Sequence, residues 1–284
     1  NYYFDNQILM VTSDRVSAFD HVLGTIPFKG QILSEIASFW FDKTKSIVPN
    51  HFIKSVDPQV LLVKEAKPLP VEVIVRKYIT GSLWRDYENS KHHVYDLDFG
   101  DNLKKNQKFS SAILTPSTKE EYGKHDMPIS KKEIINQKLV EKSIYEKAEE
   151  YALALFSEGE RWAKQQGLIL VDTKYEFGLV DGELIVIDEI HTPDSSRYWI
   201  ESEYEERFAS GKDQLMLDKE NIRQWLISKG FSGDGTPPEL DDDIRILLSE
   251  KYMELYKILT GKEFTPSPGD VSNRIKNNLK TAGF

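Results

Sequence analysis

Between Val171 and Ile190 the chain changes polarity at nearly every step. Val171, Thr173, Tyr175 and Phe177 take one side of an extended segment and Asp172, Lys174 and Glu176 the other, since side chains of a strand alternate between faces. Asp181-Gly182 then suits a tight hairpin turn, and Leu184 to Ile190 reads as the returning strand. On it Ile185 and Ile187 are expected to face the core, with Asp188 and Glu189 ending the apolar run. Further strands are expected at Ile8 to Val11, and their β-branched content predicts them at Val60 to Val63 and Val71 to Ile79. The proline-bearing Lys64-Glu-Ala-Lys-Pro-Leu-Pro70 reads as a rigid hinge between lobes. Near-helical spacing of Leu33, Ile36, Ala37, Phe39 and Trp40 predicts a helix over 32–48 that Pro49 ends. The longest helical stretch runs from Lys131 to Gln166, with Ile144, Ala148, Tyr151, Ala152, Leu155 and Trp162 as its stripe and Gly167 as its stop. Helices are also expected over 219–229 and 238–260, the latter with Asp241 to Asp243 at its positive end. Residues 91–130 lack apolar periodicity and read as a long loop, and the polar tail from Thr265 reads as loosely attached.

Composition narrows the setting. A chain of 284 residues with a formal charge of −9 can bury a large core, and it lacks the concentrated basic face that nucleic acid requires of a main partner. The absence of cysteine rules out disulfides, thiol nucleophiles and Cys-ligated zinc, and a cytoplasmic location is the natural expectation. No apolar run reaches the ~20 residues of a membrane span, so no membrane partner is expected. Oligomeric state is left open.

Two chemistries stand out. Glu176 and Asp188, one hairpin apart, are oxygen donors of the kind Mg²⁺ takes, with water and phosphate supplying the rest; a salt-bridged edge hairpin facing water is the other reading. The turn Thr192-Pro-Asp-Ser-Ser-Arg197 that follows carries hydroxyls and an arginine, which are phosphate-capturing groups. Arg76 at a strand end and Thr80-Gly-Ser82 opening a short helix form a second such nest, unless Arg76 pairs with a surface carboxylate and Ser82 only caps. Thr12-Ser-Asp14-Arg15-Val-Ser17 concentrates polar groups after a strand, and Thr115-Pro-Ser-Thr-Lys119 with His125-Asp126 suits a lid. No dinucleotide-binding, P-loop, nucleophile-elbow or zinc-protease fingerprint occurs.

Six motifs in order carry a family resemblance: Ser13-Asp-Arg-Val-Ser-Ala-Phe-Asp20, Glu72-Val-Ile-Val-Arg-Lys-Tyr-Ile-Thr-Gly-Ser82, Thr115-Pro-Ser-Thr-Lys119, Gly123-Lys-His-Asp126, Asp172-Thr-Lys-Tyr-Glu-Phe-Gly178 and Asp188-Glu-Ile-His-Thr-Pro-Asp-Ser-Ser-Arg-Tyr-Trp199. Together they resemble the phosphoribosylaminoimidazole-succinocarboxamide synthase (SAICAR synthetase) family, in its longer, yeast-like branch. The resemblance implies an α+β, two-lobed, ATP-grasp-like fold with antiparallel sheets and flanking helices. Residues 1–68 would form a β-rich nucleotide-binding lobe, and residues 69–284 an α+β lobe with the metal and substrate sites and a helical C-terminal region. It implies ATP and Mg²⁺ as cofactors and the joining of L-aspartate to carboxyaminoimidazole ribonucleotide, through an acyl phosphate. Carried over by position, Glu176 and Asp188 bind metal and, with Lys174, Lys67 and Pro68, the nucleotide. Lys174 also steadies the transferring phosphoryl group. Arg76, Ser82 and Arg197 hold the ribonucleotide phosphate, with Asp194 and Ser196 beside them. Asp14, Arg15, Ser17, Lys119, His125 and Asp126 surround the aspartate and the reacting carboxylate. Departures are Lys77 within Arg76-Lys77-Tyr78, Ser110-Ser-Ala112 before the lid motif, His191 at a commonly aliphatic place, and a start that follows the family's usual phosphate hairpin. A small-molecule or inositol phosphate kinase, and a non-catalytic nucleotide-binding paralogue, are the alternatives.

Overall fold

The computed structural model describes residues 1–19, 21–89, 93–119, 126–233 and 235–284. The chain opens with β1 (Tyr2–Phe4), β2 (Gln7–Val11), β3 (Arg15–Ala18) and β4 (His21–Thr25), then α1 (Lys29–Thr44), β5 (Phe52–Asp57) and β6 (Val60–Lys64). Next come β7 (Lys67–Tyr78), α2 (Gly81–Glu88), β8 (His93–Val94), β9 (Leu97–Asp98), β10 (Lys108–Leu114) and β11 (Ser117–Thr118). Helices α3 (Lys131–Asn136) and α4 (Lys142–Gln165) lead into β12 (Leu168–Val180), β13 (Glu183–Ile187) and β14 (Ser196–Ile200). The chain closes with α5 (Glu201–Ala209), α6 (Glu220–Ser228), α7 (Asp242–Thr260) and α8 (Val271–Thr281).

Two larger sheets organise these elements. One has the order β1-β2-β6-β5; the other runs β10-β7-β12-β13, with β11 on β7 and β14 on β12. Their ladders are antiparallel, so the fold is α+β with helices flanking antiparallel sheets. A single core joins both sheets: Trp40 and Phe41 of α1 and Val63 of β6 share it with Val73, Tyr175, Leu155 of α4 and Leu259 of α7. Apolar burial of this extent is the main favourable term in folding. A smaller cluster of Val16, Ile26, Leu226 and Leu248 packs α6 and α7 on the β3–β4 hairpin. Among the described residues no helix is long and apolar enough to cross a membrane.

Several elements differ from the sequence expectation. The proline-bearing segment is not all hinge: β7 starts at Lys67, with Pro68 opposite Gly178, and strand starts tolerate prolines because no ladder N–H is required there. Residues 91–130 contain β10 and β11, which extend β7's sheet. The long helical stretch is broken at 137–141 into α3, closed at its start by a Ser130–Glu133 capping box, and α4. Trp162 is only half-buried, donating its indole N–H to the Leu259 carbonyl at 2.8 Å.

The polar tail is docked rather than loose. Arg274 of α8 reaches Asp57 Oδ2 at 3.1 Å and Gln59 Oε1 at 2.6 Å, Asn278 reaches Asp57 at 2.7 Å, and Ile275 and Leu279 pack near Leu9 and Leu62. The Asp57 side chain is fully buried, so removing its cation leaves a costly charge behind. Arg274→Ala is expected to cost about 2–4 kcal/mol and to raise hydrogen exchange across α8 and β5 before other elements; unchanged exchange there would contradict this anchoring.

Candidate active site

Register turns the alternation of β12 into a site. Asp172 faces Arg76, Lys174 faces Ile74 and Glu176 faces Glu72 across β7, while Asp172 also faces Arg197 of β14 and Glu176 faces Ile187 of β13. Directly opposed residues share a face, so the Asp172, Lys174 and Glu176 face of the strand collects charge from three neighbours. The other face, with Tyr175 and Phe177 beside Val73 and Val71, lies in the core. Ile187 is on the charged face and lines the cleft, and Ile185, opposite Gly178, shares that face; Leu184 and Val186 are the core residues of β13. The expectation for Ile185 and Ile187 is thus corrected by one residue of register. Asp181 and Gly182, with φ of 51° and 85°, make the expected two-residue turn.

At one end of this face Lys174 sits among carboxylates. Its Nζ donates to Glu72 Oε1 at 3.1 Å and to Glu176, and lies 3.6 Å from Asp188 Oδ2; Lys119 donates to the other Glu176 oxygen. Burial would raise the Glu176 carboxyl, but Lys174 and Lys119 outweigh it and hold it at about 2. Burial, and then the neighbouring Glu176 charge, push Asp188 upward, and the two carboxyl groups are close enough to share a hydrogen bond. Burial opposes the charged form of Lys174, yet Asp188, Glu176 and Glu72 raise it well above its ordinary value. Asp188 has a left-handed φ of 66°, a strained conformation for a non-glycine residue. Lys119, Glu176 and Asp188 close one end of a cleft of about 810 Å³ whose walls include Ile8, Met10, His51, Lys67, Pro68 and Leu179.

Among the described residues no group of three or more His, Cys, Asp or Glu is placed to cage a metal ion. Adjacent carboxyls of Glu176 and Asp188 nonetheless fit Mg²⁺, which takes one or two protein carboxylates and keeps water or phosphate oxygens for the rest. Two like charges in contact are also stabilised by a cation between them.

The other end of the face is cationic. Arg76 donates to Thr115 Oγ1 at 2.8 Å, Asp172 Oδ2 at 3.0 Å and Ser82 Oγ at 3.2 Å. Arg197 shares that Asp172 oxygen and lies 3.5 Å from Glu220, while its buried Nε has no partner. A Cβ at Gly81, whose φ is 58°, would fall 2.3 Å from Arg197 Nη2, so glycine lets the guanidinium lie against the start of α2. Ser196 bonds Thr173 at 2.7 Å, and these groups with Lys174 and Arg223 line a pocket of about 180 Å³.

Of the remaining residues singled out from sequence, Asp194 lines this cationic pocket, and Asp14, Arg15, Ser17 and Asp126 are not in its lining. Asp194 is buried between Lys29 Nζ at 2.8 Å, Lys219 Nζ at 3.4 Å and Tyr252 Oη at 2.9 Å; burial would raise it, but the lysines bring it to about 2. Asp14 accepts the Gly30 N–H at 2.8 Å and Gln59 Nε2 at 3.1 Å, so it anchors the start of α1. Arg15 and Ser17 are on the exposed face of β3, with Arg15 donating to Ser13 at 3.2 Å. Asp126 is exposed and close enough to Glu72 to raise its carboxyl, though burial does most of that. His125 lies outside the described residues. Glu72, Arg85, Arg223 and Glu220 were missed, and Asp172 was placed on the right face without a role. Period two from Arg76 already puts Glu72 on the site face, whereas Arg85, Arg223 and Glu220 gather around Arg197 only through tertiary packing.

Asp194 gives a pH test. Its folded value is depressed, so its stabilising contribution is present above the ordinary carboxylate range and is lost as pH falls from about 4 through about 2. Asp194→Asn is expected to flatten this acid limb of the urea-unfolding free energy. An identical slope in both proteins would contradict the ion pairing.

An anionic sub-site and a cationic one on a single face of an antiparallel sheet, opening to a large cleft, define the class: an α+β enzyme built around charged small-molecule substrates. The SAICAR synthetase family profile matches residues 1–238, and the chain belongs to this family. It is 42% identical over 287 residues to the phosphoribosylaminoimidazole-succinocarboxamide synthase of Legionella pneumophila (strain Lens), covering 98% of this chain and 91% of that protein. The synthase of the same name from Bacteroides fragilis (strain ATCC 25285) is 45% identical over 277 residues, covering 96% and 88%. Among solved structures, SAICAR synthase from Saccharomyces cerevisiae complexed with SAICAR superposes with a TM-score of 0.78 at 33% identity, covering 91% of this chain and 90% of that one. The bacterial identities exceed the yeast one, so placement in a yeast-like branch finds no support. A SAICAR synthetase solved with ADP shares the fold at a TM-score of 0.71 and 24% identity, covering 93% and 95%.

Proposed function

We propose that the charged face of β12 is the catalytic floor of an ATP-dependent ligase, with ATP in the cleft and a ribonucleotide in the cationic pocket. The enzyme joins L-aspartate to carboxyaminoimidazole ribonucleotide, giving SAICAR, ADP and phosphate in purine biosynthesis. Lys174 carries this reading: it touches both the acidic end and the phosphate-holding end of a single face.

A carboxylate resists attack by an amine, so its oxygen first takes the γ-phosphoryl group as ADP leaves. The unprotonated aspartate nitrogen then adds to the carbonyl carbon; the C–N bond forms, the C–O bond to phosphate breaks, and phosphate departs. Lys174 and Lys119 hold positive charge against the transferring phosphoryl oxygens. Arg76, Ser82 and Arg197 fix the ribonucleotide phosphate through their guanidinium and hydroxyl donors. Arg85 and Arg223 add positive potential. Lys67 and Pro68 supply the backbone edge against which adenine lies, at the boundary between lobes 1–68 and 69–284. Glu176 and Asp188 would hold Mg²⁺, which would neutralise phosphate charge. Asp126, whose charge is felt by Glu72 on the site face, takes the proton released by the aspartate amine. Reducing cytoplasm suits a chain without thiols.

ADP release measured with Mg-ATP and carboxyaminoimidazole ribonucleotide is expected to depend on added L-aspartate. Equal ADP release with and without aspartate would point to a kinase or a simple ATPase instead.

A further inference from the structure

Glu176 lies on β12 opposite Ile187, and Asp188 follows directly as the first residue of the turn 188–195, so the path of that turn sets how the two carboxylates are spaced. That turn is irregular, with left-handed φ at both Asp188 (66°) and His191 (56°). His191 is fully buried, and its Nε2 bonds the Tyr175 hydroxyl at 2.6 Å. Tyr175 stands on the core face of β12 between Lys174 and Glu176, so this bond ties the middle of the turn to the strand carrying both residues. The His191 carbonyl also accepts the Tyr198 hydroxyl at 2.9 Å, and Trp40 abuts the imidazole edge-on at 4.4 Å between ring centres. Room for the ring exists because Gly159 of α4 has no side chain; a Cβ there would lie 2.5 Å from His191 Cε1. At the near end the turn leaves β13, whose Val186 carbonyl accepts the His51 backbone N–H at 3.2 Å.

We propose that His191 is a positioning residue, holding the Asp188 turn against β12 through Tyr175 so that Asp188 keeps the spacing from Glu176 that a divalent cation requires. This rests on the assignment of Glu176 and Asp188 as the metal pair. His191 lies on the core side of β12 and acts by denying the strained turn its alternative conformations. Outer-shell contacts of this kind typically change metal affinity by about 10–100-fold.

The experiment compares wild type with Tyr175→Phe, which removes one oxygen and keeps the ring, His191→Leu and the Tyr175→Phe/His191→Leu pair. Mg²⁺ binding to the ADP-loaded protein is read by calorimetry, alongside the Mg²⁺ activation constant, the KM for aspartate and the Tm. The expected result is Mg²⁺ binding and activation weakened by about tenfold or more in each single variant, an aspartate KM unchanged within about twofold, and a pair no worse than its worse member. A lower Tm with unaltered Mg²⁺ binding, or additive losses in the pair, would reduce the clamp to ordinary packing. Wild type that binds no Mg²⁺ with ADP would overturn the metal-pair assignment itself, and the clamp with it.

Discussion

Glu176→Gln is expected to lower aspartate-dependent ADP formation by about 10³-fold or more while Tm changes little. The amide keeps the size and one acceptor oxygen but removes the charge that binds Lys119 and Lys174 and that, with Asp188, suits a cation. Lys174 retains Glu72 at 3.1 Å and Asp188 at 3.6 Å, so no cation is stranded and the fold has little reason to weaken. Lys119 is part-exposed and finds water. The effect should therefore appear in kcat and in Mg²⁺ dependence rather than in stability. Turnover within tenfold of wild type would place the phosphoryl-handling site elsewhere. A companion, Glu72→Gln, separates roles: Glu72 is held by Lys174 and Ser117 and is not in contact with Asp188, so it should affect Lys174 placement more than metal affinity.

How far the site could be read from sequence depended on the range of the forces behind each part. The face of Asp172, Lys174 and Glu176 follows from strand pleating alone, and Asp181-Gly182 from local turn chemistry, so both were legible. The orientation of Ile185 and Ile187 was not, because pairing with Glu176 and Gly178 decides which residues of β13 face the cleft. β10 was hidden because Lys108-Phe-Ser-Ser-Ala-Ile-Leu114 has little β-branched content and half-exposed apolar residues; its partner strand, not its propensity, makes it extended. α8 has no fully buried residue, so its docking shows only once Arg274 is placed against Asp57. His191, an unexplained departure in sequence, is accounted for by Tyr175, Trp40 and Gly159, which come from three other elements. The arginines around Glu220 converge from α2, β14 and α6, and no local pattern announces that.

Asp172→Ala should be the most destabilising single change in the site, at about 3–5 kcal/mol. One carboxylate oxygen serves two buried guanidinium groups, Arg76 and Arg197, whose separation is set by β7 and β14 pairing to the same residue of β12. Truncation leaves two like charges facing each other with water largely excluded. Arg76 keeps neutral partners in Thr115 and Ser82, and Arg197 keeps only Glu220 at 3.5 Å. Repulsion, not lost packing, is thus the main cost, which distinguishes this change from a cavity of the same size. An anion supplied from outside should repair it. Inorganic phosphate is expected to recover much of the lost Tm in Asp172→Ala and to add less to wild type, where Asp172 already offsets one of the two positive charges. For a chain of this length the initial fall should be on the order of 10 °C. A variant as stable as wild type, or one that phosphate leaves unmoved, would mean that the two arginines do not converge on this carboxylate in solution, and the phosphate pocket built on them would fall with it.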